Sequence, residues 1–487
     1  CASGRAELTY GGLLHQITRV KEKFSRNNIT HNDRVAIVLP NGPEIATAFF
    51  SIASFATAAP LNPAYTKEEF DFYLSDLCVK ALVLEKGNTG PARISALQKE
   101  LPIFEIEALA NEPAGTFDLI STNTEKMVAS ASFSDPDDQA LVLHTSGTTS
   151  RPKIVPLTNN NICASAQNIM NTLELTTKDK CLNIMPLFHI HGLIAAALST
   201  LRAGGSIFCS HGFNALNFFS LLKESEATWY TAVPTMHQAI LSRSTNNNSL
   251  IKNTHLRMVR SSSASLPPQV MKELEKTFGC PVIEAYGMTE ASHQMASNPL
   301  NGAPRRPGTV GQAAGPEIAV MEEDGLDFVG TNGKGEIVIR GSNVFSGYEN
   351  NTQANDSAFT DGWFRTGDQG VIDQDGYITI TGRLKEIINR GGEKISPREV
   401  DELLLNHPAI QQVVTFSIPH HNLGEDVAAA IVLNKGETIS ENDLRDYARS
   451  YLAAFKVPRK IIFLEEIPKG PTGKLQRIGL AEKLGLL

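Results

Sequence analysis

Cysteine is scarce and scattered in this chain. The six residues Cys1, Cys78, Cys163, Cys181, Cys209 and Cys280 make no CxxC pair, and no His stands at zinc-finger spacing from them. A disulfide scaffold or structural zinc is thereby excluded, and reduced, mostly buried thiols in an intracellular compartment are expected. No apolar run approaches the roughly 20 residues of a membrane span. An excess of positive charge is also missing: 44 Lys and Arg stand against 52 Asp and Glu, for a net charge of −8. That excludes a general attraction to nucleic acid or anionic membrane, and no basic stripe runs along the chain. Tandem repeats and low-complexity tracts are lacking too; Asn246 to Asn248 reads as a polar loop. The start, CASGRAELTY, has no apolar signal core and reads as trimmed, and EKLGLL at the end is not an SKL-type address. A cytoplasmic location is expected, with a peroxisomal one as the alternative.

What is present is the composition of a globular protein, with 41% hydrophobic and 20% charged residues over 487 positions. That length calls for two or three domains. Strand-like and helix-like runs alternate from Arg34 to Glu85: RVAIVL, a helix over Glu44 to Phe55, Thr57 to Pro60, a helix over Tyr65 to Leu77, then ALVLE. Such alternation predicts a mainly parallel sheet covered by helices. The rhythm returns in LNIMP, TWYTAVP, RMVRSS and VIEAY, whereas Lys86 to Asp138 reads as a less regular surface connection. From Gly335 the texture changes to GEIVIRG and GYITITGR with Gly-Asp corners, suited to a small antiparallel barrel or sheet. A compact α+β segment follows Arg383, with helices over Pro397 to Asn406 and Glu441 to Leu452.

The chain is organised around LVLHTSGTTSRPKIVPLT, Leu141 to Thr158. An apolar strand runs into Thr145, Ser146, Gly147, Thr148 and Thr149, and Lys153 follows before a helix from Asn159 to Met170 capped by Thr158 or Asn159. Hydroxyls, a permissive Gly and a Lys between strand and helix suit a loop that wraps phosphates. It is not a Walker A loop, which needs a second glycine and a terminal Gly-Lys-Ser/Thr.

TSGTTSRPK resembles the phosphate-loop signature of the adenylate-forming enzymes: acyl-CoA synthetases, luciferases and peptide-synthetase adenylation domains. Four further clusters fit in family order, the first of them EAYGMTE together with RSSSASL just upstream. In EAYGMTE, Glu284 to Glu290, the resemblance puts Glu284, Ala285 and Tyr286 at the nucleotide, with Tyr286 as its aromatic face. Thr289 falls on the α-phosphate and Glu290 on magnesium. A tyrosine face suits a flat base, and a hard cation wants oxygen ligands. In RSSSASL, Ser263, Ala264 and Ser265 fall on the adenine edge. In WFRTGDQ, Asp368 falls on the ribose hydroxyls, a natural use of one carboxylate's two acceptor oxygens. In GRLKEIINRGGEKISPRE, Arg383 falls on a second ribose contact, Lys385 on a hinge, and Gly391 and Gly392 on a loop beside the CoA channel. In PKGPTGKLQR, Lys474 falls on the lysine that neutralises charge during adenylation. Ile154 departs from the family, whose loop often continues with Gly there.

The resemblance implies an α/β fold: a large N-terminal domain, 1–382, of two α/β subdomains plus a small β-barrel, and a mobile α+β C-terminal domain, 383–487. It implies ATP, Mg2+ and coenzyme A as cofactor and cosubstrates, Lys474, Lys153 and His189 as catalytic groups, and a monomer or weak homodimer. His189 falls on the gate between acyl site and CoA channel. Three positions that wall the acid in relatives, typically small or apolar, read here as His191, Ser262, and His293 with Gln294. Buried unpaired, such groups cost about 1–3 kcal/mol each, so the acid should bring acceptors of its own. A second carboxylate close to the reacting one does that. The combination most resembles the oxalate–CoA ligases of plants and fungi. A 4-coumarate- or fatty-acid-type ligase and a luciferase-like adenylating oxygenase are the alternatives.

Overall fold

The computed structural model describes residues 1–121, 132–145, 152–323, 325–469 and 475–486. The first sheet has seven strands, in the order Phe117–Ser121, Ile103–Ala108, Ala81–Glu85, Arg34–Val38, Thr57–Pro60, Gln139–Thr145 and Lys153–Thr158. Its five middle strands are parallel, and an antiparallel strand closes each edge. Arg34–Val38 is apolar on both faces because helices cover both, the usual condition of a parallel strand.

A second seven-stranded sheet carries Trp229–Ala232, Met258–Ser261 and Val282–Met288 side by side and parallel. Their C-terminal ends lead into the serine-rich turn and the Tyr286 segment, so both clusters open at one edge of this sheet. A third, antiparallel sheet of five strands holds Lys334–Arg340, Trp363–Ile372 and Ile378–Arg383. One apolar core runs from Val20 to Ile378 through all three. Residues beyond it build their own: Ile388, Val400, Val427 and Ile461 pack together around a fourth sheet. All six cysteines are free. Among the described residues, no helix is long and apolar enough to cross a membrane.

Two expectations change. The connection after Lys86 is not irregular: it contains the helix Pro91–Gln98 and the two strands that finish the first sheet. Scattered Pro and Asn there mark turns, and the strands IFEIEA and FDLIS mix acidic with apolar residues and so lack an unbroken apolar run. The phosphate-loop segment is not strand, loop and helix. Lys153 begins a return strand that pairs with Gln139–Thr145, Thr145 opposite Lys153. Helix Asn159–Thr172 starts six residues later, and Thr158 is its cap, sharing a capping box with Asn161. Ile154, the family departure, is a buried residue of that strand.

Candidate active site

Two groups of side chains stand at the edge of the second sheet. The first surrounds Tyr286, at the end of strand Val282–Met288. Its phenol donates to Asp368 Oδ2 at 2.5 Å, and Arg383 Nε lies 2.9 Å from Asp368 Oδ1. Asp368 faces Arg383 in register across an antiparallel pair, which fixes this contact. Burial, then the Asp368 charge, push the Tyr286 phenol well above its ordinary pKa, so it remains a donor. Asp368 in turn raises the pKa of Arg383.

Glu290 is buried and its Oε1 accepts from the Tyr348 hydroxyl at 2.8 Å. Burial raises its pKa, opposed by Arg383 and Lys153. Lys153 Nζ lies 4.1 Å from the centre of the Tyr348 ring. Burial and the neighbouring charge of Lys385 lower its pKa, against the pull of Glu290. Lys153, Tyr348, Glu290, Arg383, Asp368 and Tyr286 therefore form one charged cluster drawn from five parts of the chain. Thr289 is half-buried one residue before Glu290. Tyr348 escaped the sequence reading because nothing in its local pattern marks it.

The second group is built on the histidines. His191 opens a π-helical stretch, His191–Leu198, and is fully buried. Its Nε2 is 2.6 Å from Thr231 Oγ1 and its Nδ1 3.0 Å from Ser263 Oγ. The His293 ring stands beside it, 4.9 Å between centroids. Three residues here hold left-handed backbone: Ser263 at φ 72°, Ser292 at 49° and His293 at 103°. Such strain persists only where the surroundings over-determine it, and it clusters at functional sites. Gly287 makes room for the pair, since a Cβ there would lie 1.8 Å from the His293 carbonyl oxygen. His189 is half-buried on the preceding turn, its Nδ1 accepting from the His191 amide at 3.3 Å.

Several expected residues sit differently from the reading above. Ser262 donates to the Ala285 carbonyl at 2.9 Å, and Gln294 donates to Thr172 Oγ1 at 3.0 Å and the Ala314 carbonyl at 3.1 Å. Both side chains therefore turn to partners within the protein. Gln294 does so because successive strand residues point to opposite faces. Ser263, expected at adenine, has its hydroxyl on His191, while Ala264 is exposed and Ser265 half-buried on the same turn. Glu284 lies under that turn, its Oε1 accepting from the Leu266 amide at 2.9 Å. Gly391 and Gly392 form the exposed turn of a hairpin, Ile388–Arg390 with Glu393–Ile395, at φ 60° and 97°. Lys385 is exposed on a short helical turn after Arg383. Ser146, Gly147, Thr148, Thr149 and Lys474 lie outside the described residues.

Comparison with known proteins agrees along the whole chain. Residues 1–349 match the family described as AMP-binding enzyme, and residues 399–474 match its C-terminal domain. An oxalate–CoA ligase of Arabidopsis thaliana is 45% identical over 482 residues, covering 98% of this chain and 93% of that protein. One of Saccharomyces cerevisiae is 41% identical over 507 residues, with 98% and 92% covered. The crystal structure of ATP-bound MatB from Rhodopseudomonas palustris superposes with a TM-score of 0.88 at 28% identity, covering 99% of this chain and 96% of that one.

Proposed function

The chain belongs to the AMP-binding enzyme family, and we propose that within it this protein is an acid–CoA ligase whose acid is oxalate. The carboxylate would attack the α-phosphorus of ATP to give acyl-AMP and pyrophosphate. The CoA thiolate would then take the acyl group and release AMP. The observation that carries the choice of acid is the pair of buried imidazoles, His191 and His293, 4.9 Å apart at the acid wall. Such a wall has no use for an alkyl chain or an aromatic ring, whereas a short dicarboxylate supplies acceptors to its polar groups, to His191 by way of the Ser263 hydroxyl on its Nδ1.

On this reading Tyr286 lies against adenine, Asp368 and Arg383 hold the ribose, and the segment Thr145 to Thr149 with Lys153 takes the phosphates. Thr289 adds a hydroxyl at the α-phosphate. Glu290 suits Mg2+: its carboxylate is buried, and a divalent cation would repay the cost of keeping it ionised. Among the described residues no group of three possible metal ligands occurs, so nucleotide oxygens would complete the shell. The cation would neutralise charge on the phosphates as they depart.

Residues 1–382 and 383–487 would move as two domains about Lys385, consistent with their separate cores. Lys474 would serve adenylation in one orientation, and the Gly391–Gly392 turn would border the CoA channel in the other, with His189 as gate. Pyrophosphate release across oxalate, acetate, 4-coumarate and a medium-chain fatty acid tests the reading. Oxalate should be preferred; strong turnover of a fatty or cinnamic acid with none of oxalate would remove it and leave the adenylation chemistry standing.

A further inference from the structure

Arg260 is fully buried. Its NH2 donates to Gln294 Oε1 at 3.2 Å and its NH1 makes a long contact of 3.5 Å to Thr231 Oγ1. Nε has no hydrogen-bond partner among the described residues, and no carboxylate among them pairs with the guanidinium. Burial lowers its pKa to about 9, which leaves it charged at neutral pH. A buried cation without a counter-charge is costly and needs a reason.

The hydrogen-bond directions supply one. Gln294 spends its Nε2 on Thr172 Oγ1 and the Ala314 carbonyl, so its oxygen is the atom that must face Arg260. A guanidinium only donates, so Thr231 Oγ1 accepts from Arg260 and keeps its single hydrogen to give to His191 Nε2, 2.6 Å away, the direction taken here. An imidazole that accepts at Nε2 carries its proton on Nδ1, and that proton goes to Ser263 Oγ at 3.0 Å. The Ser263 hydrogen is then the one left for a ligand. Every donor from Arg260 outward thus points towards the acid site.

We propose that Arg260 is a positioning residue for acid specificity: through Thr231 and His191 it supplies the positive field and the donor polarity that hold the far carboxylate of a dianionic acid. The inference rests on the oxalate reading above and extends it to a residue that touches neither substrate nor nucleotide. A monoanionic acid uses only its reacting carboxylate and has no second charge for this relay to hold.

Oxalate and oxamate separate the two cases, because oxamate has the same shape with one carboxylate replaced by a neutral amide. Their binding to the full chain, with a non-hydrolysable ATP analogue present, is read by calorimetry. In Arg260→Met oxalate should weaken about tenfold or more while oxamate changes less than about threefold, the scale of losing one hydrogen bond to a charged group. Arg260→Lys, which keeps the charge, should retain most of the discrimination. Thr231→Val, close in volume and less disruptive, should lower the oxalate-to-oxamate ratio in the same direction, and it decides the matter where Arg260→Met does not fold. Equal weakening of both ligands in the folded variants would mean that Arg260 only supports the core, and would overturn the proposal. Wild-type protein that binds no oxalate would show the acid assignment itself to be wrong and remove this inference with it; that failure appears before any variant is made.

Discussion

The hydroxyl of Tyr286 donates to Asp368 across 82 positions of chain, at 2.5 Å. With Arg383 on its other oxygen, Asp368 ties strand Val282–Met288 to the antiparallel sheet. A ribose arriving at this carboxylate would use the lone pairs that these two donors leave.

Replacing Asp368 by Ala should therefore weaken ATP and also loosen the sheet junction. Loss of a hydrogen bond to a charged group costs about 1.5–3 kcal/mol, so the ATP dissociation constant should rise roughly ten- to a hundredfold. Calorimetry with ATP checks the first effect and thermal denaturation the second. An unchanged ATP affinity would take Asp368 out of the nucleotide site.

Lys474→Ala should abolish acyl-adenylate formation and leave thioester formation from supplied acyl-AMP largely intact. Three residues on, Arg477 is held to the small domain by Glu386 at 2.6 Å and by Asp401 at 2.5 Å. Those ion pairs fix Arg477 to that domain, and Glu386 adjoins the proposed hinge at Lys385. Single-turnover assays of the two half-reactions check this; an equal loss in both would contradict the two-orientation scheme.

His293→Ala should cost far more oxalate turnover than ATP binding. The ring packs beside His191 and makes none of the contacts that join Tyr286, Asp368 and Arg383. Steady-state KM values for oxalate and for ATP check it. A parallel loss in both would make His293 a residue of the core.

Glu284 gives the fold a pH dependence of definite sign. Burial pushes its carboxyl from the ordinary 4.5 up to about 7. Between those values the folded protein holds a proton that the unfolded chain has released, so this group's contribution to stability falls as pH rises. One pKa unit corresponds to about 1.4 kcal/mol, which bounds the effect at about 3 kcal/mol. Glu284→Gln keeps an acceptor for the Leu266 amide and removes the titration. It should unfold at higher denaturant than wild type at pH 8 and converge with it near pH 5. Identical pH profiles would show that the Glu284 carboxyl titrates normally.

The local motifs were legible because loops that approach a ligand need particular residues at fixed offsets. Tyr286, Glu290 and Asp368 could be named from seven-residue stretches, and the structure brings them into one cluster with Lys153 and Arg383. Parallel strands such as Arg34–Val38 were equally plain, since burial on both faces leaves an unbroken apolar run. The return strand from Lys153 was not plain. Its Pro156, a residue that cannot donate to a ladder, hides a pairing that only the neighbouring strand creates.

The resemblance also suggested two histidines, a serine and a glutamine for the proposed acid wall, but sequence could not say which partners each side chain takes. That depends on contacts between segments far apart in the chain. Gln294 is drawn away by Thr172 and Ala314, Ser262 by the Ala285 carbonyl, and His191 is aimed by Thr231 and Ser263. Arg260 shows the difference most sharply. In sequence it is the first residue of a serine-rich turn, and Arg is mostly exposed. Its burial and its relation to Thr231 exist only after the parallel strands Trp229–Ala232 and Met258–Ser261 pair, Thr231 beside Arg260. Residue types and spacing determine which chemistry a loop can offer. The direction in which each hydrogen bond points is decided by packing between strands that the chain brings together only on folding.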